Sequence, residues 1–345
     1  MIGTKSSSGT KGNNPLRKSR ATETDRSNRT SGASRKPHTV LDKVPDEDDC
    51  FQPLDTLRPL GAKSINELKI PTPPRYWSDL ISGGQLGLIF GWRAAGKSTF
   101  VLGLGTAMAT GTKFLGFSPS KPVKTVILDG EMDLHSMQAR LRRVHESLGV
   151  ELTNRLKLVS PELFSGVMPK LTTPDGQKQI DTALGDEWEV LIIDNYSAFS
   201  SGREDADAWA PWVPWLLRHK RAGRTVILVH HTGKNGTQRG ASNHEDAMDF
   251  VMALRSPKIS PIDDSLQFVI SWTKARHLSP KRTQPFQVTF GKSETGRYSW
   301  TKSDEVDANP VLAEVKRMLA EGKNMTQIAS AVNVNKSTIS RWLKP

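Results

Sequence analysis

The chain has 345 residues, of which 36% are hydrophobic, and a formal net charge of +12. That length allows one medium-to-large domain with accessories, and the apolar share is low enough that part of the chain is expected to stay disordered. A single cysteine, Cys50, excludes an internal disulfide and a Cys-based zinc site, no apolar run reaches membrane-spanning length, and the opening MIGTKSSSGTKGNN lacks the apolar centre of a signal peptide, so a reducing cytoplasm and no membrane partner are expected.

Residues 1–50 are Ser, Thr, Gly, Asn, Lys and Arg with almost nothing apolar before Val40. Such a segment cannot bury enough surface to offset its chain entropy, and we read it as a disordered basic tail. Excess positive charge points to a polyanion, nucleic acid first, although a tail that only keeps the chain soluble carries the same charge. The proline-bearing stretch 51–75 reads as an extended arm.

From Leu86 the pattern becomes alternating strands and helices. LGLIF (86–90) is a short apolar strand, and a helix starting near Lys97 follows it. TVILD (125–129) is a second strand, LHSMQARLRRVHESLG (134–149) an amphipathic helix stopped by Gly149, and VLIID (190–194) a third strand. DADAWAPWVPWLLRHKRAG (205–223) is helical in pattern, interrupted by Pro211 and Pro214. TVILVHH (225–231) and MDFVMAL (248–254) are the fourth and fifth strands. Buried apolar strands alternating with helices predict an α/β fold around a mainly parallel sheet covered on both faces. SLQFVISW (265–272), PFQVTF (285–290) and GRYSW (296–300) predict an antiparallel extension, and no internal repeat is visible.

GWRAAGKST (91–99) follows a buried strand and opens a helix, which is the context that gives G-x-x-x-x-G-K-[ST] its meaning as a phosphate loop. Gly91 and Gly96 let the backbone wrap an anion, Lys97 reaches the β- and γ-phosphates, Ser98 holds Mg²⁺, and Thr99 belongs to the same nucleotide-binding run. Trp92 and Arg93 are bulky for such a loop. Ligands of open α/β sheets sit at the carboxyl ends of the strands. Three of those ends are polar here: Asp129 with Glu131, Asp194, and His230 with His231. Asp194 occupies the Walker B position, where a carboxylate holds the Mg²⁺ shell.

These motifs resemble the RepA-like hexameric ATPases of plasmids, phages and integrated elements, a RecA-like branch beside the bacterial replicative helicases. The resemblance runs from PPRYW (73–77) to about Phe290 and rests on GWRAAGKST, VILDGEM (126–132), LIIDN (191–195), HHTGKNGTQRGASNHEDAMD (230–249) and WTKARH (272–277). It implies that Glu131 is the general base on the attacking water, and that His231 rather than His230 senses the γ-phosphate. It implies that Arg239 faces DNA in a central channel, and that Lys274 and Arg276 reach the ATP of a neighbouring subunit. A surface basic strand end would read the same way as the Lys274–Arg276 pair, and the following HLSPKRT lacks the glycine often found in relatives.

Residues 303–310 read as a linker. VLAEVKRMLAEG (311–322) predicts a helix with Leu312, Val315 and Leu319 on one face, ended by Gly322. Asn324 to Gln327 start a second helix with Ile328, Ala329 and Val332 inward. Asn335 caps a third, with Ile339 and Trp342 buried and Lys336, Ser337, Thr338, Ser340 and Arg341 outward. TQIASAVNVNKSTISRWL resembles the helix-turn-helix of resolvases and bacterial regulators, which implies that Lys336, Ser337, Thr338 and Arg341 meet duplex DNA. A trihelical protein-interaction module is the alternative for 311–345.

The expectation is therefore a RecA-like ATPase domain over 51–302 using ATP and Mg²⁺, with a separate DNA-binding unit. The resemblance implies a hexamer, with single-stranded DNA in its channel, acting as a replicative helicase of a mobile element. An ATPase switch that loads other proteins without unwinding, and a DNA-binding regulator carrying an ATP-binding domain, stay open beside it.

Overall fold

A computed structural model of the chain describes residues 59–201, 206–231, 242–257, 264–306, 310–332 and 334–343. The basic tail expected over 1–50 and Arg239 lie outside the described residues. The molecule divides between Pro71 and Thr72 into two units. The described part of the first holds a short helix, α1 (Ala62–Glu67), where a wholly extended arm was expected, and none of its side chains is buried.

The second unit opens with a small antiparallel pair, β1 (Arg75–Trp77) and β2 (Ile81–Ser82), and then builds one nine-stranded sheet. Strand β3 (Leu86–Gly91) leads through the phosphate loop into α2 (Lys97–Thr110). Then come β4 (Thr125–Asp129), α3 (Leu134–Leu148), β5 (Leu156–Val159), α4 (Pro174–Leu184), β6 (Val190–Asp194) and α5 (Tyr196–Phe199). After α6 (Ala206–Trp209) and α7 (Trp212–Arg221) follow β7 (Thr225–His231), α8 (Ser242–Asp246), β8 (Phe250–Arg255), β9 (Leu266–Ala275), β10 (Phe286–Lys292) and β11 (Tyr298–Ser303). The strand order is β11-β10-β9-β8-β3-β7-β6-β4-β5. The six strands from β8 to β5 run parallel, and β9, β10 and β11 extend the sheet antiparallel. This is the α/β, mainly parallel architecture that the alternating pattern predicts.

The apolar runs are continuous because both faces of the sheet are covered. In β6, Val190 and Ile192 enter one core with Phe100, Leu104 and Val144 of the α2–α3 layer. Leu191 and Ile193 enter the other with Ile180, Trp212 and Trp215 of the α4–α7 layer. Asp181 ties α4 to α7: its carboxylate accepts Trp215 Nε1 at 3.0 Å and Arg218 Nη2 at 2.6 Å. The predicted 205–223 helix is in fact two, broken at Pro211, whereas Pro214 sits in the first turn of α7, where its missing N–H has no intrahelical acceptor to lose.

The C-terminal residues form three helices, α9 (Pro310–Ala320), α10 (Met325–Ala331) and α11 (Lys336–Trp342), around their own apolar cluster. Asn324 and Gln327 close a capping box on α10, as their spacing predicts. Asn335 stands at the N-cap of α11 but makes no side-chain cap bond. On α9 the inward face is Val311, Val315 and Met318 rather than Leu312, Val315 and Leu319; Leu319 is exposed. Both triads satisfy helical spacing, and the register of packing chose between them.

Candidate nucleotide site

The loop after β3 turns sharply enough to need glycine at both ends. A Cβ on Gly91 would lie 2.2 Å from the Leu254 carbonyl oxygen, and Gly96 adopts φ +83°. Gly96 stands at the N-cap of α2 without a side-chain cap, leaving the first-turn N–H groups of a fourteen-residue helix for an anion. Lys97 is buried, and its ammonium donates to the Gly91 and Trp92 carbonyls at 2.8 and 2.7 Å. Burial pushes its pKa down to about 8, against the attraction of Asp194 and Glu131. The folded loop thus holds the charge where phosphate oxygens would replace the carbonyls.

The register of β4 on β6 sets Asp129 directly beside Asp194. Both carboxylates are buried, and burial raises both pKa values, Asp194 to about 6 despite a hydrogen bond from Ser98. The Asp194–Asn195 peptide bond is cis. Asp129 accepts the backbone N–H groups of Glu131 and Met132 at 2.8 and 2.7 Å. It therefore shapes the turn that presents Glu131, which is exposed and makes no side-chain hydrogen bond to the described residues. A cavity of about 220 Å³ is lined by Ser98, Asp129, Glu131, Met132, Arg140 and Asp194. Its oxygen-only donors, Ser98 and the carboxylates, suit a hard cation such as Mg²⁺. Thr99 follows Ser98 in the first turn of α2, half-buried.

Arg140 is the one member that the sequence motifs pass over. The signal was present: Met137, Arg140 and Val144 share the inward stripe of α3, and an arginine on an otherwise apolar stripe needs an anionic environment.

His230 and His231 separate as strand alternation requires. His230 is buried against the rings of Tyr196 and His244, at 5.1 and 5.8 Å between centroids. His231 points to the site edge, its Nε2 at 3.1 Å from Asn195 Nδ2. The Asn195 oxygen accepts the Ala198 N–H at 3.1 Å, so the amide nitrogen faces the imidazole and donates to Nε2.

Lys274 and Arg276 lie elsewhere. β9 is antiparallel to β8, so they sit at the opposite end of the sheet, beside the start of β3. Six strand residues, about 20 Å, separate them from their own phosphate loop. There Lys274 Nζ donates to the Glu245 and Asp246 carbonyls, and Arg276 Nη2 to Asp246 O at 2.8 Å. On α11, Lys336, Ser337 and Arg341 are exposed as expected, whereas Thr338 is half-buried.

A phosphate loop on the central strand of a mainly parallel sheet, with carboxylates at the ends of β4 and β6, defines a P-loop ATPase domain. Residues 52–237, more than half of the chain, match the family described as an AAA domain, and the chain belongs to it. Among solved structures it is similar to the flagellar accessory protein FlaH from Methanocaldococcus jannaschii, at 14% identity over 63% of this chain and 89% of that one, with a TM-score of 0.44. It is also similar to the RadB recombinase, at 15% identity over 62% of this chain and 90% of that one, with a TM-score of 0.40. No curated protein matches it. No helix among the described residues is long and apolar enough to cross a membrane.

Proposed function

We propose that the protein is a DNA-dependent ATPase that assembles head to tail into a ring and works as a DNA helicase. The observation that carries this reading is the separation of its parts. Lys97, Ser98, Glu131 and Asp194 gather at one end of β3, and Lys274 with Arg276 at the other, too far to serve the same nucleotide.

Lys97 binds the β- and γ-phosphates of ATP. Mg²⁺, held by the Ser98 hydroxyl and the Asp194 carboxylate, would neutralise phosphate charge. Glu131, whose side chain makes no hydrogen bond to the described residues, takes a proton from water as its oxygen attacks the γ-phosphorus, the bond to the bridging oxygen breaks, and ADP leaves with inorganic phosphate. Arg276 and Lys274 of the next copy stabilise the charge on the transferring group. His231, joined to Asn195 beside Asp194, registers the γ-phosphate and passes its presence to the chain that follows. The exposed Lys336, Ser337 and Arg341 of α11 give the C-terminal helices a polar, basic face for duplex DNA.

The test is steady-state ATP turnover with and without single-stranded DNA, together with native mass and unwinding of a forked duplex. Stimulated turnover by a hexameric assembly that separates strands is expected. DNA-independent turnover by a monomer would overturn the ring, and stimulated turnover without unwinding would leave an ATPase switch.

A further inference from the structure

Among the described residues, Asp249 is the only buried carboxylate outside the phosphate-loop cavity. It lies between α8 and β8, at the end of the sheet away from that cavity. Two bonds fasten it to the first residue of β3: its N–H donates to Leu86 O at 2.8 Å, and its Oδ2 accepts the Leu86 N–H at 2.8 Å. On its other side the Arg276 N–H donates to its carbonyl at 3.0 Å, and Arg276 Nη1 stands 3.8 Å from Oδ1. The His277 ring nitrogen Nε2 lies at 3.9 Å from the same oxygen.

A buried carboxylate needs a cation, and the simplest account would make Arg276 that cation. Lys220 already fills the role, its ammonium 2.6 Å from both carboxylate oxygens. Arg276 is therefore surplus to the neutralisation of Asp249. Its backbone is fixed by the Asp249 carbonyl, while its guanidinium, 48% exposed, donates Nη2 to the Asp246 carbonyl at 2.8 Å and stands beyond hydrogen-bond distance of the Asp249 carboxylate.

We infer that Asp249 is the positioning residue for Arg276: it roots the arginine on the base of the strand whose other end carries the phosphate loop. The charge of Asp249 keeps the guanidinium close, and Lys220 prevents a tight pair, so that the arginine has only its bond to the neutral Asp246 carbonyl to exchange for an anion on another copy. Because β3 is one unbroken strand, a subunit's own phosphate loop and the arginine that it lends to a neighbour are held at a fixed separation. This rests on the proposed action in trans.

Asp249→Asn keeps an oxygen for the Leu86 N–H and removes the charge near Arg276. Nucleotide binding to its own phosphate loop should stay within about twofold, while turnover falls about ten- to a hundredfold, as for a displaced catalytic group. Mixing Asp249→Asn with Lys97→Ala protein should restore turnover, because an intact arginine then faces an intact loop. Mixing it with Arg276→Ala should not. Wild-type turnover of Asp249→Asn, or no rescue by Lys97→Ala, would overturn the inference. The control is Arg276→Ala mixed with Lys97→Ala: without rescue there, in confirmed mixed assemblies, action in trans fails and the inference fails with it. Should Asp249→Asn not fold, Lys220→Gln tests the same point from the other side. The unneutralised carboxylate then draws Arg276 in, turnover falls, and the same pattern of rescue is expected; undiminished turnover would overturn the inference.

Discussion

The two ends of the central sheet have opposite electrical character. At the carboxyl ends of the parallel strands, Asp129, Glu131 and Asp194 gather around a cavity with Lys97 and Arg140 as the nearby cations. At the other end, Lys220, Arg276 and the His277 ring surround one carboxylate, Asp249, with Lys274 held close by on the carbonyls of α8. On the proposed function, the first end receives a metal-bound polyphosphate and the second lends positive charge to it from a neighbouring copy. Ends that differ in this way complement each other between copies related head to tail, the relation that closes into rings or runs on as filaments.

The largest effect expected from disturbing this contrast is at the acidic end. Lys97→Ala should abolish turnover, and Glu131→Gln should still bind ATP while losing about 10²-fold or more in rate; nucleotide binding and turnover measured side by side check both. Near-normal turnover of Glu131→Gln would remove the general base from that end. At the basic end, Arg276→Ala should lower turnover about 10³-fold with the free subunit's nucleotide affinity intact. A parallel loss of affinity, read by nucleotide titration, would mean that the two ends are not separate.

A smaller effect is expected outside the sheet. Truncation after Ser303 should leave DNA-stimulated turnover in place and remove preference for a particular duplex site. Arg341→Ala should cost about 1–3 kcal/mol at that site if the side chain reads a base, and weaken all sequences evenly if it meets phosphate. Enrichment from a random duplex pool at fixed salt measures this, and equal enrichment by full-length and truncated protein would make 311–345 a protein-interaction module instead. The smallest effect tests whether any charge at the basic end matters. Lys124 pairs with Glu187 across 3.4 Å in full view of solvent. Lys124→Ala should change stability by less than about 1 kcal/mol and leave turnover alone. A large loss there would mean that diffuse charge, rather than the Asp249 node, sets up this end.

Much of this was legible in the chain itself. β4, β6 and β7 fall where the apolar runs place them, because a strand buried on both faces leaves a run with defined ends. Gly91, Gly96, Lys97 and Ser98 are local in sequence and so were readable as one motif. β8 begins at Phe250, two residues after the predicted start, because Met248 belongs to the preceding turn and Asp249 is bonded to Leu86. β5 is four residues at an edge, with Lys157 in its middle, and offers little pattern. The role of Asp249 was not legible, since its partner Leu86 is 163 residues away and nothing local marks the pair. Arg140 likewise gains meaning only when α3 is laid over the ends of β4 and β6.

The place of β3 between β7 and β8 has a consequence for how the molecule is made. Leu86 pairs with Val226, and Gly87 with Phe250, so the strand bearing the phosphate loop finds neither neighbour until residues far along the chain exist. At ~5–20 residues per second, on the order of ten seconds separates the synthesis of LGLIF from that of its partners. Through that interval an apolar segment with open backbone groups is available to any other chain. A high mean sequence separation of native contacts also slows folding once synthesis ends. The strand that organises the nucleotide site is thus the one most exposed to misassembly at birth, and the yield of soluble protein should depend on chaperone supply more than on the stability of the finished fold.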